Sequence, residues 1–325
     1  MKDHRGLGRP DAGTASRLIA MSAVTACALA LGGCHQPGFG PADTPAGPSA
    51  HAMLPRRAAP YLGVYEPGVP GSDRLVRQFA RTVGRQPSIA LYFSGWFEKF
   101  DAAFARAARN AGTTVLVDLQ PTQVSMASIA AGQSDGYLRS FAEAVRAFGH
   151  PVIISLAHEM NGQWYRWGWK HTPPQVWISA WRHVVTVFRQ NGADNVTWLW
   201  TVNRLAGREG PIRDWWPGAS YVTWAGIDGY YEQPGDSFAV VFDPTIAAIR
   251  KLTSKPVLIA ETAVGQDGGQ SAKIPGLFAG VRSRHLLGLV WFDVAQHDGV
   301  HHQDWRIEGH PSAVQAFRRE LRSYQ

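Results

Sequence analysis

Eight short apolar runs, separated by stretches of helical periodicity, leave this chain very few folds to adopt. The runs cover residues 61–65, 89–93, 115–119, 152–157, 196–202, 222–227, 257–260 and 287–292. Most are apolar throughout instead of alternating with polar residues, as in parallel strands covered on both faces. Between them the period becomes helical. Leu75, Val76, Phe79 and Val83 follow Ser72 as a cap, and Leu138, Phe141, Val145 and Phe148 stop at Gly149. Thr172-Pro173 reads as the N-cap and first-turn proline of a helix carrying Trp177, Trp181, Val184 and Phe188, ended by Gly192. Asp243-Pro244 reads as the start of another, with Ile246, Ile249 and Leu252, and Val314, Phe317 and Leu321 mark the last. Only residues 204–220, rich in Gly, Pro and Trp, show no helix. This alternation predicts an α/β fold, a single (β/α)8 TIM barrel. An open doubly wound sheet is the alternative, but no glycine-rich nucleotide loop follows the first run.

The segments ahead of the first run set the domain organisation. Lys2, Arg5, Arg9 and Arg17 precede an apolar stretch over 18–31, short for a membrane span and suited to an export signal. It ends in Leu31-Gly32-Gly33-Cys34, which resembles the lipobox of bacterial lipoproteins. The resemblance implies cleavage before Cys34 and lipidation of that cysteine. Residues 35–60 are Pro, Gly, Ala, Ser and Thr with few large apolar side chains, which reads as a flexible tether. The expected organisation is a signal and lipobox segment over 1–34, the tether over 35–60 and the catalytic barrel over 61–325. The expected location is the outer membrane or cell surface, through a lipid anchor in the membrane, with a periplasmic or secreted form as the alternative. Cys27 and Cys34 are the only cysteines, so the barrel depends on its core and not on disulfides. The formal net charge of +7 is spread along helix faces such as Arg74, Arg77, Arg81 and Arg85. No Lys/Arg run of the kind that binds nucleic acid is present in the sequence.

The chemistry sits at two strand ends. The run 152–157 leads into His158-Glu159-Met160-Asn161-Gly162, followed by Trp164, Tyr165, Trp167 and Gly168. The run 257–260 leads into Glu261-Thr262-Ala263. In a barrel every strand C-terminus opens on one mouth, where the ends of the fourth and seventh strands face each other. Either glutamate alone could equally pair with an arginine at the rim. Together, beside His158 and several aromatic rings, they form the carboxylate pair that hydrolyses a glycosidic bond. Retaining chemistry places such a pair about 5–5.5 Å apart, one as nucleophile and one as acid, then base. Of the thirteen tryptophans, about half are expected in the core and the rest as stacking surfaces for flat ligand faces.

The segment His158-Glu159-Met160-Asn161-Gly162 with Trp164 and Trp167-Gly168 resembles the signature of glycoside hydrolase family 26, best known for β-mannanases. Most related retaining barrels carry Asn, not His, before this glutamate. Gly226-Ile227-Asp228-Gly229-Tyr230, Glu261-Thr262, Trp291-Phe292 and Asp304-Trp305-Arg306 agree with the same pattern, and the resemblance runs from about residue 61 to the C-terminus. It implies that Glu159 is the general acid/base and Glu261 the nucleophile. His158 would orient the acid/base region, Tyr230 would hydrogen-bond the nucleophile, and Trp164 and Trp291 would line sugar subsites, with Asn161 among the supporting residues. Ala263 departs from the pattern, which often has Gly there.

The chemical logic stands beside the resemblance. Glu159 has to hand a proton to the leaving oxygen, and Glu261 has to be ionised to attack the anomeric carbon. Such a cycle requires no metal or other cofactor. His297, His301 and His302 with Asp298 fit no common metal-site spacing and read as a polar loop. Asp118 and Asn203 follow the third and fifth runs as substrate contacts or rim hydrogen-bonders, and Trp215 and Trp216 as stacking platforms or loop packing. The leading expectation is a monomeric retaining endo-1,4-β-mannanase acting on β-mannan or a related polysaccharide. A mixed-linkage β-glucanase, a β-1,3-xylanase and a non-catalytic carbohydrate-binding barrel are the alternatives.

Overall fold

The computed structural model describes residues 60–266, 269–295 and 303–324. The signal and lipobox segment with Cys34, nearly all of the tether, and His297, Asp298, His301 and His302 lie outside the described residues. The chain divides into Met1–Ala46 and Gly47–Gln325, and everything described belongs to the second unit.

That unit runs β1 (Tyr61–Tyr65), α1 (Arg74–Val83), β2 (Ile89–Gly95), α2 (Ala102–Asn110), β3 (Thr114–Gln120), α3 (Met126–Ala130), α4 (Asp135–Phe148) and β4 (Val152–Leu156). It continues through α5 (Pro174–Gln190), β5 (Val196–Asn203), β6 (Trp224–Asp228), α6 (Phe238–Leu252), β7 (Val257–Thr262), α7 (Gln270–Ser283), β8 (Gly288–Phe292) and α8 (Pro311–Ser323). The eight strands pair in parallel in chain order, and β8 closes on β1 to complete the (β/α)8 barrel. All eight apolar runs are strands. Residues 204–220 form two short 3₁₀ turns, Ile212–Trp215 and Ala219–Tyr221, in place of a sixth covering helix. Among the described residues no helix is long and apolar enough to cross a membrane.

Three helix starts differ from expectation. The α1 helix has its N-cap at Asp73, one residue later than the expected Ser72, whose hydroxyl instead accepts the Arg74 N–H (3.2 Å). The α6 helix begins at Phe238, capped by Ser237, whose hydroxyl accepts the Val240 N–H, so Pro244 lies inside the helix and does not open it. An interior proline costs about 3 kcal/mol, but the turn ahead of it buries Phe238, Val241 and Phe242, which is worth more. In α5 the cap is Pro173, one residue later than expected, while the Thr172 hydroxyl donates to Arg166 O.

Strand alternation sorts side chains into two apolar layers. Tyr61, Leu91, Leu116, Ile153, Leu199 and Val290 fill the barrel interior, whereas Leu62, Val117, Ile154, Trp200 and Ile259 join the layer shared with the helices. Ten tryptophans, at 96, 167, 177, 181, 198, 200, 215, 224, 291 and 305, are buried, well above the half expected. Packing dominates because the outer layer needs wide, flat side chains: Trp177 stacks on Trp181, and Trp215 meets Trp177 edge-on.

Candidate active site

The two glutamates reach the mouth through local departures from regular strand geometry. In β4, Ile153 and Ser155 point inward, and Ser155 shares a hydrogen bond with Thr201 of β5 (3.0 Å). Ala157 and Glu159 then both adopt left-handed backbone, with φ of 48° and 52°. Non-glycine residues hold that conformation only when their surroundings impose it, and such strain gathers at functional sites. Here it lets His158 and Glu159, which are consecutive, both turn into the mouth. In β7, Ile259 pairs with Ile227 while Glu261 pairs with the next β6 residue, Asp228, so one extra residue is accommodated. The β7–β8 register slips at the same place. Ala260 faces the barrel interior, and regular alternation would aim Glu261 outward; the bulge turns it back in.

The consequence is a compact charged cluster. Ligand atoms of Asp118, His158 and Glu261 lie within 4.8 Å of one another, and Glu159 follows His158 directly. His158 Nδ1 lies 3.0 Å from Asp118 Oδ1, and its Nε2 lies 3.1 Å from the Tyr165 hydroxyl. Glu159 accepts from Trp164 Nε1 at Oε2 (2.7 Å) and from Asn203 Nδ2 at Oε1 (2.6 Å). The Tyr230 hydroxyl donates to Glu261 Oε2 at 2.5 Å, whereas Glu261 Oε1 is buried with no hydrogen-bond partner. Tyr65, Phe93, Phe292 and Tyr230 contact one another as an aromatic wall beside the cluster.

Burial and charge set the protonation states. Burial pulls the His158 imidazole toward neutrality, but the adjacent Asp118 carboxylate, by charge and hydrogen bond, outweighs it and carries His158 up to about 9. His158 is therefore an imidazolium at neutral pH. Burial also pushes Glu261 up to about 8, opposed chiefly by the His158 charge and assisted by repulsion from Glu159. Asp228, fully buried beneath them, is held well above the usual carboxyl range by burial and then by Glu261.

The expected residues divide accordingly. Glu159, Glu261, His158, Trp164 and Tyr230 come together, and Trp164 is half exposed at 51%, a free indole face beside an anchored N–H. Asn161 is fully buried and holds the Asn203 backbone at both ends, Nδ2 to Asn203 O (2.9 Å) and Asn203 N to Oδ1 (2.8 Å). It positions Asn203 and reaches no open surface. Gly162 is required for a steric reason. A Cβ there would lie 2.3 Å from Trp164 Cζ2, so only glycine lets the indole reach Glu159. Trp291 is a correction. It is fully buried, facing outward against Phe317 of α8, with Nε1 donating to Asp293 Oδ1 and Trp305 O. Its neighbour Phe292, one step along the strand, faces the mouth instead. Asp118 and Asn203 prove to be partners of His158 and Glu159, and Trp215 and Trp216 pack against Trp177 and Trp200. The full burial of Asp228 and the support from Tyr165 are not evident from sequence; their place in the same motifs is the only available signal.

The family model described as glycosyl hydrolase family 26 matches residues 119–268 of this chain. Endoglucanase H of Acetivibrio thermocellus is 30% identical over 271 residues, 78% of this chain and 29% of that protein. A mannan endo-1,4-beta-mannosidase of Bacillus subtilis strain 168 is 30% identical over 112 residues, 32% of this chain and 29% of that protein. The chain thus spans under a third of the length of either curated relative. A solved endo-beta-1,4-mannanase double mutant from Cellulomonas fimi superimposes with a TM-score of 0.65 at 14% identity, over 81% of this chain and 70% of that one. That likeness is one of fold.

Proposed function

We propose that this chain, whose residues 119–268 match the model of glycosyl hydrolase family 26 and which is 30% identical to Endoglucanase H over 271 residues, is a member of that family and hydrolyses a β-1,4-linked mannan internally with retention of configuration. The observation that carries the reading is the pairing of two differently served glutamates around one imidazolium. Glu261 has one oxygen held by Tyr230 and the other unpartnered, so Oε1 is free to attack the anomeric carbon. Glu159 delivers a proton to the leaving oxygen from across the mouth. Once the glycosyl–Glu261 ester forms, that charge disappears and Glu159 takes a proton from the incoming water. Its two neutral donors, Trp164 and Asn203, suit the carboxylate it is at that stage. The aromatic wall and the exposed face of Trp164 offer stacking surfaces for sugar rings.

A second reading has its own support, because the relative matched over 271 residues is named an endoglucanase. Mixed-linkage or β-1,4-glucan is the corresponding substrate. Reducing-sugar assays of the purified protein on mannan, glucomannan, mixed-linkage glucan and β-1,3-xylan decide between them, and NMR of the first-formed anomer reports retention. Glu261→Ala should lower turnover by at least about 10⁴-fold with an unchanged fold. Glu159→Ala should slow polysaccharide far more than an aryl glycoside with a good leaving group. Near-native turnover by Glu261→Ala removes the nucleophile assignment.

A further inference from the structure

A second carboxylate cluster lies behind the aromatic wall, outside the proposed catalytic machinery. One residue beyond the inward-facing Tyr65 and Phe292, the chain places Glu66 and Asp293, and the loop before α8 adds Glu308. Their carboxylate oxygens lie within 4.8 Å of one another. Glu66 and Asp293 are 4% and 2% exposed, and Glu308 is partly buried. Asp293 Oδ1 is already occupied, accepting from Ile307 N (2.8 Å) and Trp291 Nε1 (3.1 Å). Glu66 Oε1 and Glu308 Oε1, in contrast, are buried with no hydrogen-bond partner. Such an orphaned buried acceptor ordinarily costs about 1–3 kcal/mol, and buried carboxylates are paired or coordinate metals. The nearby Arg306 is committed to Asp304 (2.9 and 2.7 Å). Among the described residues no lysine, arginine or histidine forms an ion pair with the three.

We propose that Glu66, Asp293 and Glu308 bind a hard divalent cation, calcium or magnesium, which ties the first and last strands of the barrel to the loop leading into α8. An all-oxygen donor set with no sulfur or imidazole selects hard cations over zinc or copper. The role is structural: a cation here bridges the β8–β1 closure, where the chain ends of the barrel meet, and stands apart from Glu159 and Glu261. Burial and then the Glu308 charge push Glu66 up to about 8, against a hydrogen bond with Asp293 and the Arg74 charge, and burial with the Glu308 and Glu66 carboxyls pushes Asp293 up to about 11, so shared protons are the competitor for the same oxygens.

The test uses the full chain, stripped with EDTA and dialysed, with Ca²⁺ or Mg²⁺ added at constant ionic strength near pH 7.5. Calorimetric titration should show one saturable site per chain for one of the two ions. The melting temperature should rise by about 5 °C at a cation concentration near 100 times Kd. Glu66→Gln and Asp293→Asn should abolish both responses. Glu308→Gln, at the partly buried position, keeps the test open if the buried variants fail to fold, and should weaken binding at least tenfold. Absence of heat and of any melting shift with both ions means that protons alone hold the cluster and overturns the proposal. So does an undiminished response in Glu308→Gln, which would place the bound cation elsewhere.

Discussion

Replacing Asp118 with Asn tests whether the imidazolium of His158 tunes Glu261, the proposed nucleophile. The substitution keeps the shape and removes the charge that outweighs burial at His158. His158 should then be neutral at assay pH. Glu261, whose ligand atom lies within 4.8 Å of the His158 ring nitrogen, loses its principal stabilising charge. At that range, with an effective dielectric constant near 20, the interaction is worth about 3 kcal/mol, or up to about 10²-fold in the ionised fraction of Glu261, offset in part because the substitution also removes the weaker Asp118 repulsion that raises Glu261. Because Glu261 titrates at about 8 in the intact site, the ascending limb of kcat/KM should move to higher pH. The loss should be between about 10-fold and about 10²-fold near pH 6 and should shrink as pH passes about 9, where His158 sheds its own proton. Stability gives an independent readout. A histidine raised from 6.5 to about 9 contributes stability that is complete below its unfolded value and disappears as pH rises through its folded one. The melting deficit of the variant should therefore be greatest below about pH 6.5, on the order of 3 kcal/mol, and vanish above about pH 9. An equal fractional loss of kcat/KM at every pH, or an unmoved ascending limb, would refute the electrostatic argument and leave Asp118 a purely structural residue.

Two further outcomes follow from the geometry. Gly162→Ala sets a methyl group 2.3 Å from the Trp164 ring, so it should displace the indole from Glu159 and lower kcat about 10-fold or more, with melting temperature little changed; intact kcat would show that the Trp164–Glu159 bond is dispensable. Trp291→Phe removes the donor to Asp293 and Trp305 O, so it should cost about 1–3 kcal/mol in denaturant unfolding with KM for polysaccharide unchanged, whereas a raised KM would return Trp291 to the substrate-facing wall.

The barrel was legible because its strands are buried on both faces and read as unbroken apolar runs. That same property hides which way each side chain points. In Leu-Val-Trp291-Phe292 every position is apolar, so nothing in the residues tells that Trp291 faces α8 and Phe292 faces the mouth. Only pairing register decides it. Helix starts were less legible than strands for a related reason. Pro244 signals a beginning by its own chemistry, but the hydrophobic surface of Phe238, Val241 and Phe242 extends α6 backward past it. Tertiary burial overrides the local signal.

The proposed catalytic pair shows where sequence patterns stop. Glu159 and Glu261 read as carboxylates at strand ends, yet regular geometry would not have brought both into the mouth. Glu261 depends on the extra residue in β7 beside Ala260, and His158 and Glu159 depend on left-handed backbone at Ala157 and Glu159. Alanine at 157 and 260 is compatible with these departures, because its small side chain limits clashes where the backbone leaves the strand path. But alanine is also an ordinary strand residue, so it carries no distinctive mark. Residue types point to a candidate pair; backbone irregularities, silent in sequence, determine that the two carboxylates and the His158 ring share one site.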